Sequence, residues 1–265
     1  MTARQERNCR DFFSLVEEVN QVMADSLSFA YLPGDNADLG KAEEYELVRE
    51  GLDRLQLPWV AIVGDHDIHS KRHYTFLRFM MPEPFYRLEV GSYRFLALDA
   101  FVSDDPKVFD ISSDQLDWLP QELDLARAIE KRSILFLHCY PSELGTSSSP
   151  LRDLIKRFGV LLVDMGHTHY NEIANDGLTL YTATRSTGQI EEGPVGFSVT
   201  NLDNGVLLRG FAAIGDQKVD LEQFAGSALW HANLDINQLS GGVYSLTVNL
   251  IDETASGAKI SSEWQ

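Results

Sequence analysis

Two histidines set one residue apart, His167 and His169, follow Gly166 at the end of the hydrophobic run Gly159-Val160-Leu161-Leu162-Val163-Asp164. A buried strand that ends in such a turn aims both imidazoles into the space beyond it, and neutral imidazole is the commonest metal ligand among side chains. Three further strand-like runs close on residues of the same chemical kind. Residues 28–32 lead into Pro33-Gly34-Asp35-Asn36-Ala37-Asp38, residues 58–63 into Gly64-Asp65-His66-Asp67, and residues 133–137 into His138. A lone acidic turn or strand-end histidine is ordinarily a capped or solvated group. Four such ends along one sheet edge form a donor set for a divalent cation. Carboxylate and imidazole together suit Zn, Fe, Mn or Co.

The elements that must position these groups follow from periodicity. Helices are predicted over 8–23, 41–55, 112–130 and 150–158. Each carries an apolar stripe at helical spacing, such as Phe12, Leu15, Val16 and Val19 in the first and Leu116, Leu119, Leu123 and Ala126 in the third. Residues 84–90 and 93–98 read as a hairpin turned at Gly91-Ser92. Strands alternating with helices predict an α/β fold with a largely buried sheet, and ligands of such sheets gather beyond the carboxyl ends of the strands. After Tyr181 the pattern changes. Residues 197–202 and 206–211 read as a hairpin across Asp203-Asn204-Gly205 that completes a second sheet of the same domain. The remainder is loop-rich with short β segments. The expected organisation is one domain over residues 1–215 and a small β-rich appendage over 216–265.

Composition narrows the partners. The chain has 265 residues, 44% of them hydrophobic and 10% aromatic, enough for a sizeable core. A formal charge of −18 argues against a nucleic-acid or anionic-membrane surface. It leaves room for an anionic substrate, because a bound metal reverses the local field. No run of roughly 18 or more consecutive apolar residues occurs, so no membrane span is expected. Cys9 and Cys139 have neither disulfide-framework nor zinc-knuckle spacing. With no apolar leader stretch, a reducing, cytoplasmic compartment is the expectation.

Gly34-Asp35-Asn36-Ala37-Asp38, Gly64-Asp65-His66-Asp67, His138 and Gly166-His167-Thr168-His169 together resemble the calcineurin-like metallophosphoesterase family, in order and approximate spacing across residues 8–210. The resemblance implies a two-sheet sandwich flanked by helices in four αββα layers. It also implies a metal site at the strand ends and hydrolysis of phosphate esters by metal-activated water. It assigns Asp35 to bridge two metals, His138 and His167 to the second metal and His169 to the first. His66 stays unligated, contacting the phosphoryl oxygens or protonating the leaving group. Asp67 is expected to orient His66, Asp38 to be a turn residue or a support behind the site's donors, and His69 and His73 to face solvent.

Two departures from the family pattern sharpen the expectation. The family's opening Asp-x-His strand has no counterpart ahead of the first helix, so the first strand of the sandwich is missing: either the sequence is clipped or the protein works without it. Asp65 stands where the family carries a neutral amide ligand. One site then has Asp35, Asp65, His138 and His167, while the other keeps Asp35 and His169. The expectation is one tightly held divalent ion, with a second weak or absent. A missing strand also exposes a sheet edge, which a second copy of the chain would cover. The function expected is hydrolysis of small phosphodiesters. The alternatives are a non-catalytic metal- or ligand-binding member of the family, or a carboxylesterase using the same site.

Overall fold

The computed structural model describes residues 3–22, 24–69, 73–103, 105–184 and 186, together with strand segments between 208 and 264. The chain divides into two compact units, Met1–Ser198 and Val199–Gln265. The division falls earlier than residue 215, where the change in sequence character placed it.

The first unit alternates as its sequence predicts. Helix α1 (Ala3–Val22) precedes β1 (Ala30–Leu32), α2 (Ala42–Leu52), β2 (Trp59–Ala61) and α3 (His73–Phe79). Then come β3 (Tyr86–Val90), β4 (Tyr93–Ala97), α4 (Ser113–Ala128), β5 (Arg132–Phe136), α5 (Ser148–Phe158), β6 (Leu162–Met165), β7 (Glu172–Asn175) and β8 (Leu180–Ala183). Ser112 caps α4 by accepting from the Gln115 backbone N–H at 3.4 Å.

Strands β1 and β2 pair in parallel, and the remaining six form one sheet in the order β3-β4-β5-β6-β8-β7. Its inner strands β4, β5, β6 and β8 run parallel, with β3 and β7 antiparallel at the two edges. Successive side chains of a strand face opposite ways. On one face Leu96, Leu98, Leu135 and Leu137 join Leu119 and Leu123 of α4 and Leu151 and Ile155 of α5 in the core cluster. On the other, Phe136 stacks on Tyr31 of the β1–β2 sheet with ring centroids 3.7 Å apart, and Phe95 meets Phe29 edge-on at 5.0 Å. Two sheets joined by aromatic rings, with helices on the outer face of the larger one, are three of the four αββα layers expected from the sequence.

In the second unit, β9 (Leu208–Ile214), β10 (Gln217–Asp220), β13 (Leu246–Asp252) and β14 (Lys259–Trp264) form an antiparallel sheet in the order β10-β9-β13-β14. Between them in sequence, β11 (Glu222–Gln223) pairs with β12 (Trp230–His231). Residues 206–211 were expected to pair with 197–202. Residues 197–202 lie outside the described residues; β9 pairs with β10 and β13. Among the described residues, no helix is long and apolar enough to cross a membrane.

Candidate metal centre

The centre lies where the loops leaving β1, β2, β5 and β6 meet. Gly34 and Gly64 let them approach. A Cβ on Gly34 would fall 2.3 Å from His138 Nδ1, and one on Gly64 would fall 2.1 Å from the Asp35 nitrogen. Any other residue at either position would force these loops apart. Asp35, His167 and His169 adopt left-handed backbone angles, with φ of 53°, 58° and 64°. Such angles are uncommon outside glycine and cost of order 1–3 kcal/mol each. The surrounding packing holds three candidate ligands in these strained turns.

His138 is buried, and its Nδ1 donates to the Pro33 carbonyl at 2.7 Å. That bond puts the proton on Nδ1 and turns Nε2 toward Asp65 Oδ1 at 2.9 Å and Asp35 Oδ1 at 3.5 Å. His167 Nδ1 approaches the same Asp65 oxygen at 3.3 Å. Two donors each about 2.1 Å from one cation lie roughly 3.0–3.4 Å apart, so these residues fit a single divalent ion. Asp65, His138 and His167 offer three ligand atoms within 4.8 Å of one another, and Asp35, Asp65 and His66 form a second such group. His169 is half-buried and belongs to neither group.

Electrostatics tie the donors together. Burial opposes ionisation of Asp65, yet hydrogen bonds from His138 and His167 hold its carboxyl well below the usual range. Burial likewise disfavours a charged His138. The Asp35 charge, the Asp65 bond and the Pro33 carbonyl outweigh it and raise the ring to about 9.

His66 and Asp67 part company. Asp67, expected to orient His66, is 0% exposed and faces away from it. Its carboxylate accepts from the backbone N–H groups of Asn36, Ala37 and Gly64 at 3.2, 3.1 and 2.8 Å. It also accepts from Asn36 Nδ2 at 2.8 Å and the Tyr45 hydroxyl at 2.7 Å. The reason is a tight turn: the Asp67 N–H donates to Gly64 O at 3.1 Å. That folds the side chain back beneath the loop of residues 33–40. Burial, then the Asp35 charge, pushes the Asp67 carboxyl up to about 6. The partner of His66 is Asp38, expected as a turn residue or as a support behind the site's donors. His66 Nδ1 lies 2.7 Å from the Asp38 carbonyl and 3.7 Å from its carboxylate. Burial lowers the His66 pKa, but the Asp38 carbonyl and the charges of Asp35 and Asp65 prevail and raise it.

His69 is exposed, as expected. His73 is not: its Nε2 meets buried Asp99 at 2.7 Å. Sequence reasoning also missed an aromatic wall. The Phe109 ring lies 4.8 Å from that of His167, edge to face, and the Phe101 ring lies 6.2 Å from that of His138. Asp110 accepts from the Thr146 and Ser147 backbones at 3.1 and 2.8 Å and so holds the Phe109 loop in place. Glu143 stands 3.9 Å from His167 Nε2, opposite the atom that faces Asp65. No local pattern marks these residues; only the loop ends flanking strands β4 and β5 bring them to the centre.

The calcineurin-like phosphoesterase pattern matches residues 8–171, more than half of the chain. The chain belongs to the calcineurin-like phosphoesterase family. It is 31% identical over 169 residues to a probable cyclic nucleotide phosphodiesterase of a Synechococcus species, covering 59% of this chain and 63% of that one. It is 27% identical over 156 residues to a glycerophosphodiester phosphodiesterase of Enterobacter lignolyticus, covering 51% and 54%. The matches therefore span less than two thirds of these relatives. A dimetal phosphatase from Danio rerio shares the calcineurin-like fold with a TM-score of 0.59 at 14% identity, over 68% of this chain and 78% of that one.

Proposed function

We propose that the chain is a metal-dependent phosphodiesterase of small substrates. The observation that carries this reading is the convergence of Asp65, His138 and His167, with Asp35 beside them, at the donor spacing of one cation. These four residues would hold the ion. A divalent cation bound there lowers the pKa of a water toward neutrality and offsets charge on the phosphoryl oxygens.

The chain's own groups do the rest. The Pro33 carbonyl keeps His138 Nε2 turned inward. His66 has Nδ1 committed to Asp38, which leaves Nε2 to act on the substrate. In the hydrolysis, the water oxygen bonds to phosphorus and the ester P–O bond breaks. His66 hands a proton to the departing oxygen. Charge favours diesters. Asp35, Asp65 and Glu143 pair with histidines, and no Arg or Lys side chain pairs with them among the described residues. A monoester would bring two negative charges to this acidic lining, whereas a diester brings one. A second ion would share Asp35 and Asp65 with the first and draw on His66, or on His169, which stands outside both donor groups, so one ion is held tightly and any second one weakly.

The test uses the full chain, stripped with a chelator and reloaded with Mn or Zn. Bis(4-nitrophenyl) phosphate should be hydrolysed faster than 4-nitrophenyl phosphate, and His167→Ala should abolish both reactions. No hydrolysis, or hydrolysis indifferent to His167→Ala, would make this a binding protein instead. Elemental analysis after desalting should find one ion per chain; two would refute the single tight site.

A further inference from the structure

Four exposed apolar residues stand next in sequence to groups at the centre. Leu39 follows Asp38, whose carbonyl bonds His66. Val102 follows Phe101, whose ring faces that of His138, and Val108 precedes Phe109, whose ring faces that of His167. Tyr170 follows His169. Their exposures are 38%, 49%, 46% and 51%. Phe101, by contrast, is 3% exposed, so this loop packs one residue on a histidine and turns its neighbour outward.

These positions come from the loops after β1, β4 and β6, at the carboxyl edge where the metal donors lie. Further exposed apolar residues occur among the described residues, Tyr74 on α3 and Leu178 between β7 and β8 among them. Leu125 and Ile129 close α4, which enters β5 at its amino end, and Ile173 lies on edge strand β7. Apolar groups left in water around a reactive centre mark a ligand surface. Here the ion and His66 supply the polar contacts to an anionic ester, and the remaining lining is carboxylates and imidazoles with the Phe101 and Phe109 rings against the histidines. Apolar contact outside the phosphoryl position is the remaining source of binding free energy.

We propose that Leu39, Val102, Val108 and Tyr170 form an apolar collar that takes an aromatic or alicyclic arm of a phosphodiester. The centre is thereby selective for diesters with a bulky apolar arm over those with small or polar arms. The inference rests on the phosphodiesterase reading above and assigns its substrate class.

Binding and turnover test the two separately. By calorimetry on the Zn-loaded full chain, diphenyl phosphate should bind at least ~10-fold more tightly than dimethyl phosphate, the effect of one well-buried apolar group. Val108→Ser and Tyr170→Ser should each reduce that ratio about threefold or more, while Leu125→Ser leaves it unchanged. Equal affinities for the two ligands, which would also result if another segment of the chain covered the collar, overturn the proposal. So does a ratio that survives both collar substitutions. Phenyl and methyl 4-nitrophenyl phosphate share one leaving group and report turnover. Tight diphenyl phosphate binding without turnover of either ester keeps the collar and rejects the phosphodiesterase. Turnover of both at equal kcat/KM does the reverse.

Discussion

Replacing Asp67 with alanine separates a structural buckle from a catalytic acid. The side chain is fully buried and accepts from five donors: three backbone N–H groups, one amide and one hydroxyl. Each buried donor left without an acceptor costs about 1–3 kcal/mol, so five give roughly 5–15 kcal/mol. An opposing contribution comes from the carboxyl itself, which burial pushes up to about 6. Removing a charge held about two pKa units above its normal value returns about 3 kcal/mol at pH 8. Water entering the vacated space favours the lower end of the range. The expected net loss is at least ~2 kcal/mol, or about 4–8 °C in Tm for a unit of this size. Urea denaturation of the metal-free chain measures it without involving activity. Asp67→Asn keeps the shape and some of the acceptors, and should lose about 1–3 kcal/mol. An Asp67→Ala chain within ~0.5 kcal/mol of wild type in stability, but with activity lost, would refute the buckle. It would return Asp67 to the chemistry.

Three further outcomes are expected. Asp38→Ala removes a side chain that is 62% exposed. It should change stability by less than ~0.5 kcal/mol and lower kcat on an aryl diester by less than about fivefold, because the 2.7 Å bond to His66 comes from the Asp38 backbone carbonyl, which alanine keeps. Gly64→Ala places a Cβ 2.1 Å from the Asp35 nitrogen and 2.2 Å from its Oδ1. Zn affinity, read by competition with a chelating dye, should fall more than ~10-fold, and unchanged affinity would deny the close approach of the two loops. Asp164, buried in β6 beside the Thr182 hydroxyl at 2.5 Å, has a carboxyl raised by burial to about 6. An acid with a raised folded-state pKa costs nothing below about pH 4 and destabilises as pH rises through about 6. The cost is about 2–3 kcal/mol. Asp164→Asn should therefore raise Tm at pH 8 relative to its effect at pH 4, and a pH-independent effect would contradict the burial argument.

The strand-end residues were legible because each sits at a local change of pattern. A β-branched or leucine-rich run stops at a glycine or a polar turn, and Asp35, Asp65, His138 and His167 all lie within a few residues of such a stop. Boundaries were less legible. Helix α1 begins at Ala3, and the β7–β8 hairpin went unread because Glu172–Asn175 lacks the apolar alternation of a half-buried strand. Which of Asp67 and Asp38 supports His66 was not legible. Both aspartates belong to acidic turns of the same composition, and only the nesting of the 33–40 loop over the 64–67 turn decides which of them faces His66.

By itself the sequence determined the alternation of strands and helices, the donor types, and the family, since all three reside in short-range periodicity and in motifs of a few residues. The tertiary structure alone decided the relations between segments. It set His73 against buried Asp99, placed Phe109 edge to face with His167 and turned His138 Nε2 inward through the Pro33 carbonyl. It also paired β9 with β13 across more than thirty residues of chain. The physical reason is common to all of these. Hydrogen bonds and ring contacts depend on ångström distances between atoms far apart in sequence, and the packing of the core sets those distances, whatever the propensity of either segment.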